Sequence, residues 1–377
     1  MNIVVEMKGE NGMQHKPTKW SLICSIIIAL ATFLPGIGTA ALRADTIEPL
    51  QLIPDQDYAA AGGTLTFHIL YHNSENIVQT QSHISVKVPQ MLEVTDPGEA
   101  AWNEEERLLT WSLGEMSAGG SAAVRFQLKA DAAAETGTAI QLSAELNGSI
   151  TGKWTTPEVT VTVGTETHQP FMQGYPDGTF RPEGKLTRAE AAAMIARIKG
   201  LKEVDGPATY KDVDPEYWAY AYIEQVTEEG YMIGYDGRFR PKDPITKAEM
   251  VTIMLRLQKI TPVPFETTYG DLFSHWSADV LGTAETLGRI APGEGAAFSP
   301  DQPIERQLAA QWMSAGLLRG PLGDGDIKVE QHFPDVPATH PYFGWIEEVS
   351  AVAHESEDRG IGAEWLIRYL PEETNAF

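Results

Sequence analysis

A turn-and-helix motif that occurs three times is the feature that most constrains how this chain can fold. The copies span residues 174–198, 234–257 and 298–316, and the third copy is eroded. Each copy contains one anchor aromatic, and these are spaced by 59 residues twice: Phe180, Phe239 and Phe298. A fixed period of this size is typical of stacked copies of one small unit, none of which can bury its apolar face alone.

Each motif is the second half of a longer unit. The first half begins with an aromatic, one further residue and an aspartate, at Tyr210, Tyr269 and Phe333. From residue 165 the chain starts with a second half and stops with a first half. We therefore expect the last half-unit to complete the first one, so that the region 165–377 closes on itself. Its units would be about 165–208, 209–267 and 268–331, with a final half-unit at 332–377.

The first two motif helices begin with capping boxes. Thr187 with Glu190, and Thr246 with Glu249, have the spacing in which the threonine hydroxyl accepts from the third helical amide and the glutamate returns to the cap. Capping and the apolar face behind it account for these residues in purely structural terms. A last apolar run, residues 365–370, predicts one further helix.

A cation occupies the first helical position of every copy: Arg188, Lys247 and Arg306. A positive charge there opposes the helix dipole, at a cost of about 0.3–1 kcal/mol. A helix N-terminus with free amides and an arginine can bind a carboxylate or phosphate, and solvated surface charge is the alternative. The turn at Asp177 and Gly178 lacks the spacing of a calcium loop, so we predict no metal and no cofactor.

The region 45–164 alternates apolar and polar residues in at least six short runs, separated by turns rich in glycine, asparagine and proline. This pattern predicts an all-β sandwich of immunoglobulin type. Three stretches, at 71–73, 88–89 and 111–114, resemble bacterial surface repeats of immunoglobulin-like fold. The resemblance implies a spacer or adhesive module, and no catalytic constellation is evident in the region.

Residues 1–44 have the features of a secretory signal peptide. Lys16 and Lys19 precede an apolar core at 22–34, which Pro35 and Gly36 break. Met13 is an alternative start, and an uncleaved anchor is the alternative interpretation. On the first hypothesis the chain meets the membrane only transiently, during export.

The charge of the chain restricts its partners. It has 28 basic and 52 acidic residues, a net charge of -24. Such a field repels nucleic acid and anionic lipid at long range, so any anionic ligand must be captured by local groups.

At the repeated motifs the chain resembles the S-layer homology family, over about residues 165–353. The resemblance rests on two strong copies of G-Y-(P)-D-G-x-F-R-P-x4-T-[RK]-A-E, three aromatic-x-Asp starts and the 59-residue spacing. It implies a multidomain chain in which the all-β immunoglobulin-like sandwich precedes an all-α, three-pronged, pseudo-three-fold spindle. It also implies grooves that bind a secondary cell wall polysaccharide, commonly pyruvylated.

The family's ligand residues can be carried over position by position. The resemblance implies that helix-start cations bind the pyruvyl carboxylate, aspartates bind sugar hydroxyls, tryptophans form walls and a glycine allows close backbone approach. The implied carbohydrate-binding residues are Arg188, Lys247, Arg306, Asp212, Asp271, Trp218, Trp276 and Gly234. In the third copy Glu305 replaces the capping threonine and Leu308 the glutamate, so we expect at most two working grooves.

The expected function is a secreted, non-enzymatic protein of the bacterial cell wall, whose repeats bind the wall polysaccharide while the sandwich acts as a spacer or contacts other surface proteins. One alternative is a scaffold whose eroded repeats bind protein. Another is a wall glycan hydrolase, although no paired-carboxylate, G-x-S-x-G or H-E-x-x-H motif is evident.

Overall fold

The computed structural model describes residues 48–148, 152–201, 208–350, 352–358 and 363–371. The signal peptide expected at 1–44 lies outside these residues. Within the described ranges, no helix has both the length and the apolar character needed to span a membrane.

Twelve described strands make up the first region. They are β1 (Leu50–Pro54), β2 (Tyr58–Ala59), β3 (Thr64–His72), β4 (Gln79–Lys87), β5 (Leu92–Asp96), β6 (Ala101–Asn103), β7 (Leu108–Met116), β8 (Ser121–Ala130), β9 (Ala139–Leu142), β10 (Ala144–Gly148), β11 (Gly152–Thr155) and β12 (Val159–Val163). They form three sheets in the orders β1-β3-β8-β5, β11-β10-β4-β7-β6 and β2-β12-β9. The β-rich character predicted for this region therefore agrees with the structure.

Aromatic contacts join the sheets of this region. β3 and β8 pair antiparallel over nine residues, from Thr64 opposite Lys129 onward. The ring of Phe126 on β8 lies 5.3 Å from Phe67 on β3 and 5.2 Å from Trp111 on β7. All three rings are buried, because alternate residues of each strand point into one shared core.

The strand β3 is buried on both faces, which simple alternation does not predict. Leu70 points away from the sandwich core and, with Ile53 of β1, packs among the helices of the second region. This outer face also makes hydrogen bonds to the second region. The side-chain amide of Gln51 donates to Thr261 O at 2.9 Å, and its side-chain oxygen accepts from Thr261 N at 2.8 Å. The sandwich therefore packs directly against the repeat region.

The second region contains six described helices and four described strands. They are β13 (Glu166–His168), α1 (Arg188–Lys199), α2 (Tyr220–Glu228), α3 (Lys247–Leu257), α4 (Ala278–Thr286), α5 (Arg306–Gly316), β14 (Leu322–Gly323), α6 (Phe343–Ser350), β15 (His354–Asp358) and β16 (Glu364–Tyr369). The helices have only 8 to 12 residues.

The predicted all-α spindle is wrong. The region includes a four-stranded sheet in the order β13-β15-β16-β14, and strands outnumber helices in the described chain as a whole. The last helix expected at 365–370 is instead β16, in which Glu364 and Leu366 are buried while Trp365 is exposed. The period of that segment is therefore two, and an apolar run this short does not distinguish a strand from a helix.

The three motifs contact one another through a closed ring of backbone hydrogen bonds. Ile245 N donates to Leu186 O at 2.9 Å, Ile304 N to Ile245 O at 3.0 Å, and Leu186 N to Ile304 O at 3.2 Å. Each of these residues lies immediately before a helix-capping position and is buried. The ring brings the starts of α1, α3 and α5 to one place, although they are far apart in sequence.

The last half-unit contacts the first motif. Both carboxylate oxygens of Asp335 accept backbone hydrogen bonds, from Phe180 N at 2.9 Å and Arg181 N at 2.7 Å. The ring of Phe333 lies 5.4 Å from that of Phe180. The segment that opens with Phe333 thus packs on the motif that lacks a preceding half.

Candidate functional site

The starts of α1 and α3 are fixed by reciprocal capping. Glu190 N donates to the Thr187 hydroxyl at 3.2 Å, and Thr187 N donates to the Glu190 carboxylate at 2.8 Å. The same pair of hydrogen bonds joins Thr246 and Glu249. Because a capping box fixes the entry angle of the chain, it also fixes the direction in which the next side chain leaves the helix.

That next side chain is the helix-start cation, which in all three copies reaches the anchor aromatic of another copy. The donor–acceptor pairs are Arg188 Nε to Phe239 O (2.8 Å), Lys247 Nζ to Phe298 O (3.2 Å) and Arg306 Nε to Phe180 O (2.9 Å). Each cation also lies over the ring of the same phenylalanine, at 4.9, 5.8 and 4.6 Å from its centroid respectively. These contacts offset the unfavourable interaction between each cation and the dipole of its helix.

The two arginines are not solvated surface charges. Arg188 is 7% exposed and Arg306 is 4% exposed. Arg188 donates a further hydrogen bond to Ile233 O at 3.0 Å, and Arg306 donates one to Gln173 O at 2.6 Å. Both guanidinium groups therefore clamp neighbouring copies together, which is one physical reason for a cation at this position.

The first-turn amides are already occupied. On α1, Arg188 N donates to Asp243 O at 2.9 Å and Ala189 N to Pro241 O at 3.0 Å. The next amide belongs to the capping box. An anion at this helix start would therefore have to bind side chains, because the backbone donors expected to receive it are used between copies.

A pocket lies beside the buried Arg188. It is a shallow cleft that opens to solvent, with a cavity volume of about 30 Å³, and two aromatic residues, Tyr231 and Trp276, are among its lining residues. A second cation, Arg256, lines it together with Arg188 and Glu249. The remaining lining residues are Met232, Ile233, Ile245, Thr252 and Ile253. Two of the sequence-predicted ligand residues, Arg188 and Trp276, thus meet in one cavity.

The two arginines of this pocket have different partners. Arg188 Nη1 contacts Glu249 Oε1 at 2.5 Å, and Arg256 Nη1 donates to Tyr231 O at 2.8 Å. Because a guanidinium group has five donors in a fork, Arg188 can bind a further oxygen acceptor while keeping its structural partners.

The predicted aspartates occupy structural positions. Asp212 accepts from Phe239 N and Arg240 N, both at 2.8 Å, and Asp271 accepts from Phe298 N and Ser299 N, both at 2.8 Å. Burial would raise the pKa of Asp271, but these backbone hydrogen bonds outweigh it and lower that pKa. Each aspartate therefore holds the turn of the following motif, as Asp335 does for the first motif.

Gly234 is closely surrounded by other residues of the chain rather than by open space. Its amide donates to the Tyr210 hydroxyl at 2.8 Å. A Cβ built on it would lie 2.3 Å from Tyr210 Cε1 and 2.4 Å from Arg238 O. The close approach at this glycine is thus to the aromatic that opens the preceding half-unit.

The structure separates Trp218 from Trp276. Trp218 is 55% exposed and lies beside two tyrosines, with ring centroids 5.7 Å from Tyr217 and 6.4 Å from Tyr222. It is absent from the lining of the Arg188 pocket. The two tryptophans, equivalent in the repeat, therefore have different surroundings.

The third copy departs from the first two at its helix start. Glu305 makes no capping hydrogen bond, and instead contacts Lys185 at 2.9 Å and accepts from Gln307 at 2.8 Å. Its hydrogen bonds with these two side chains lower the pKa of Glu305. On the same helix, the Trp312 ring stacks on Phe298 at 5.8 Å, on the anchor that Lys247 contacts.

Several functional candidates were not identified from the sequence. Tyr231 and Arg256 line the pocket, and Arg256 follows Thr246 by ten residues as Arg197 follows Thr187. Their positions, one just before a motif and one at the end of its helix, could have been found by comparing the copies beyond the conserved turn. The pairing of Arg188 with Glu249, 61 residues away, has no local sequence signal.

Comparison with known proteins agrees with the motifs. Residues 169–192 and 209–251 match the S-layer homology domain. A cellulosome-anchoring protein of Acetivibrio thermocellus is 34% identical over 217 residues, which cover 55% of this chain and 47% of that protein. The S-layer protein EA1 of Bacillus anthracis is 29% identical over 176 residues, 45% of this chain and 20% of that protein.

Some of the relatives are named for enzymes. An uncharacterized cell wall amidase of Bacillus anthracis is 30% identical over 171 residues, 43% of this chain and 31% of that protein. The chain therefore spans less than half the length of each of these three relatives.

Proposed function

Because this chain is an S-layer homology protein of the bacterial cell surface, we propose that its repeats hold it non-covalently to the wall by binding a secondary cell wall polysaccharide. The observation that carries the proposal is the pocket beside Arg188. Its lining residues include two aromatic residues, Tyr231 and Trp276, and two arginines, Arg188 and Arg256. Aromatic faces suit sugar rings, and guanidinium forks suit acidic substituents.

The glycan that fits this pocket carries a carboxylate. Two arginines, Arg188 and Arg256, line the pocket, whereas the chain as a whole has a net charge of -24. An anionic sugar would thus be bound only where local cations overcome the general repulsion. A pyruvyl ketal supplies such a carboxylate on a sugar ring, so we propose a pyruvylated polymer as the ligand.

We propose that the Arg188 pocket is the main binding groove. Arg188 and Arg306 are both buried and bonded to backbone oxygens, and Arg188 is preferred because Tyr231 and Trp276 line the pocket beside it. Around Lys247 the stacked Trp312 covers the anchor ring. Lys247 uses one of its three donors on Phe298 O, so it can add a weaker contact to a bound polymer. Asp212 and Asp271 would contribute to binding only indirectly, by fixing the conformation of the motif turns, because their carboxylate oxygens already accept backbone hydrogen bonds.

The sandwich acts as a spacer or as a contact surface for other surface proteins, and the chain is not itself an enzyme. This part of the proposal rests on the anchoring relatives, because a relative named as an amidase shows that similar repeats also accompany enzymes. The direct packing of β1 and β3 on the repeat region would hold the sandwich in a fixed orientation relative to the wall.

Co-sedimentation with purified wall sacculi tests the proposal. The full chain should pellet with untreated sacculi, and pelleting should be lost after the secondary polysaccharide is extracted. Mild acid that removes ketal groups should have the same effect if the carboxylate is the recognised group. Failure to pellet with untreated sacculi would contradict the anchoring function, while pelleting that survives ketal removal would contradict only the pyruvyl assignment.

The alternative of a protein-binding scaffold makes the opposite prediction. It gains support from the structural use of all three helix-start cations between copies. A chain that ignores sacculi but captures a surface protein would favour it.

A further inference from the structure

Four buried ionisable side chains meet at the sheet that ends the chain. His168 lies on β13, Glu348 on α6, His354 on β15 and Glu364 on β16, and their side chains are at most 4% exposed. One nitrogen or oxygen from each residue lies within 4.8 Å of those of the other three. None of the four belongs to the repeated motif or to the pocket beside Arg188.

Glu348 is at the centre of the cluster. Its Oε1 lies 2.8 Å from His168 Nδ1, and its Oε2 lies 2.8 Å from His354 Nε2. His168 Nδ1 is also 3.2 Å from Glu364 Oε2. Among the described residues Glu348 Oε1 has no well-aligned hydrogen bond, although His168 Nδ1 at 2.8 Å and Arg319 Nη1 at 3.5 Å lie close to it. A buried carboxylate oxygen without a well-aligned donor is rare and calls for a partner.

The outer ring nitrogens of both histidines face oxygen atoms. His354 Nδ1 lies 3.0 Å from Val352 O, and its Nε2 lies 2.8 Å from Glu348 Oε2 and points to the cluster. As a metal ligand this ring would keep its proton on Nδ1 and present the lone pair of Nε2. His168 Nε2 lies 3.0 Å from Glu166 Oε2, and its Nδ1 faces the cluster. This is the arrangement in which a histidine presents one nitrogen to a metal ion while an oxygen outside orients the ring.

The second carboxylate is also held in place from outside. Glu364 Oε1 accepts from Gly320 N at 2.7 Å, and its Oε2 accepts from Ser356 Oγ at 2.9 Å. Its position is therefore fixed before any ion arrives. Ligands that are oriented in advance in this way favour a defined coordination geometry.

The charges in the cluster leave room for a cation. As metal ligands both imidazoles would be neutral, and Glu348 and Glu364 would then bring two negative charges that a divalent cation balances. Arg319 Nη1 lies 3.5 Å from Glu348 Oε1 but makes no hydrogen bond to it. Buried charges are stabilised by pairing or by coordinating a metal. By contrast, the adjacent Glu347 is paired with His332 at 2.8 Å and accepts from His332 N.

We propose that His168, Glu348, His354 and Glu364 form a structural site for a divalent transition metal of the zinc type. Two imidazoles and two carboxylates are ligands that Zn²⁺ accepts, and four protein ligands with no access to solvent are typical of a structural rather than a catalytic site. The ion joins β13, at the beginning of the repeat region, to α6, β15 and β16 at its end.

Metal uptake by the full chain tests this site. The chelator-treated protein, dialysed against Zn²⁺ and analysed for bound metal, should bind about one equivalent. Co²⁺ in place of Zn²⁺ should give visible d–d absorption typical of a four-coordinate site, and added Zn²⁺ should raise the Tm. Uptake should fall at least about tenfold in Glu348→Gln and His354→Gln.

Glu347→Gln is the matched control, because it removes a buried carboxylate one residue away that belongs to the His332 pair. It should bind Zn²⁺ like the unmodified chain. The proposal is overturned if the unmodified chain binds no Zn²⁺ and gives no Co²⁺ spectrum, since protons then fill the cluster. It is also overturned if Glu348→Gln and Glu347→Gln bind equally, since other histidines among the nine then account for uptake. The Co²⁺ spectrum of the unmodified chain remains decisive if a variant does not fold.

Discussion

At the scale of single residues, the helix-start cation has a role that its own sequence neighbourhood does not reveal. The capping boxes could be predicted because their partners are three residues apart. The carbonyls that Arg188 binds belong to Phe239 and Ile233, which are 51 and 45 residues away. A sequence motif shows that a cation is placed against the helix dipole, but only the packing of the copies shows what it contacts.

The glycine before each motif turn gives a prediction at this scale. Gly234→Ala should destabilise the chain by about 1–3 kcal/mol, because the new Cβ would meet Tyr210 and the backbone oxygen of Arg238. Urea unfolding measures the effect. Gly323→Ala is the control, since its nearest contact would be an ordinary 3.4 Å to Glu364 O. Equal stabilities for the two variants would show that the packing at Gly234 is looser than described.

At the scale of elements, the strands of the repeat region were missed for a physical reason. β13 and β14 have three and two residues, and β13 pairs with a strand about 190 residues later, Glu166 opposite Ser356. Strands this short have no measurable periodicity, and their stability comes from long-range pairing. The long sandwich strands, by contrast, alternate clearly and were predicted.

The contact of β1 with the segment after α4 gives a second prediction. Asp55, at the end of β1, accepts from Arg289 at 2.7 Å and from His68 at 3.2 Å, and the acid and arginine side chains are 3% and 8% exposed. Removing one partner of such a pair leaves a buried charge, so Asp55→Ala should cost about 3–5 kcal/mol. Asp96→Ala, which removes an exposed partner of Arg125 at 3.7 Å, should cost about 0–1 kcal/mol.

The same contact should depend on pH. Burial would raise the pKa of Asp55, but the hydrogen bond with His68 and the charge of Arg289 outweigh it and lower that pKa below 3.8. A carboxyl with a lowered folded pKa stabilises the fold above its unfolded pKa and loses that contribution as the pH falls through the folded value. The stability difference between the unmodified chain and Asp55→Ala should therefore shrink between pH 5 and pH 2. A difference that stays constant over this range would contradict the assignment.

At the scale of the whole molecule, the match to the S-layer homology domain could be predicted because it depends on a repeated, local motif. The all-α architecture implied by the family resemblance does not hold for this chain. The four-stranded sheet of the second region uses residues at its two ends, outside the motif copies, and these ends differ from the repeated units. The candidate site was likewise predicted only in part. Arg188 and Trp276 were predicted individually. That they line one pocket with Tyr231, Glu249 and Arg256 depends on how the copies pack.

The central claim is tested most directly by comparing two variants of the full chain, Trp276→Ala and Trp218→Ala. The measured quantity is the affinity of each for purified wall polysaccharide. Trp276→Ala removes a wall of the pocket and should weaken binding about tenfold, or 1.4 kcal/mol. Trp218→Ala removes an exposed ring at the same repeat position and should change binding less than about twofold. Equal losses, or a larger loss for Trp218→Ala, would contradict the assignment of wall binding to the pocket beside Arg188.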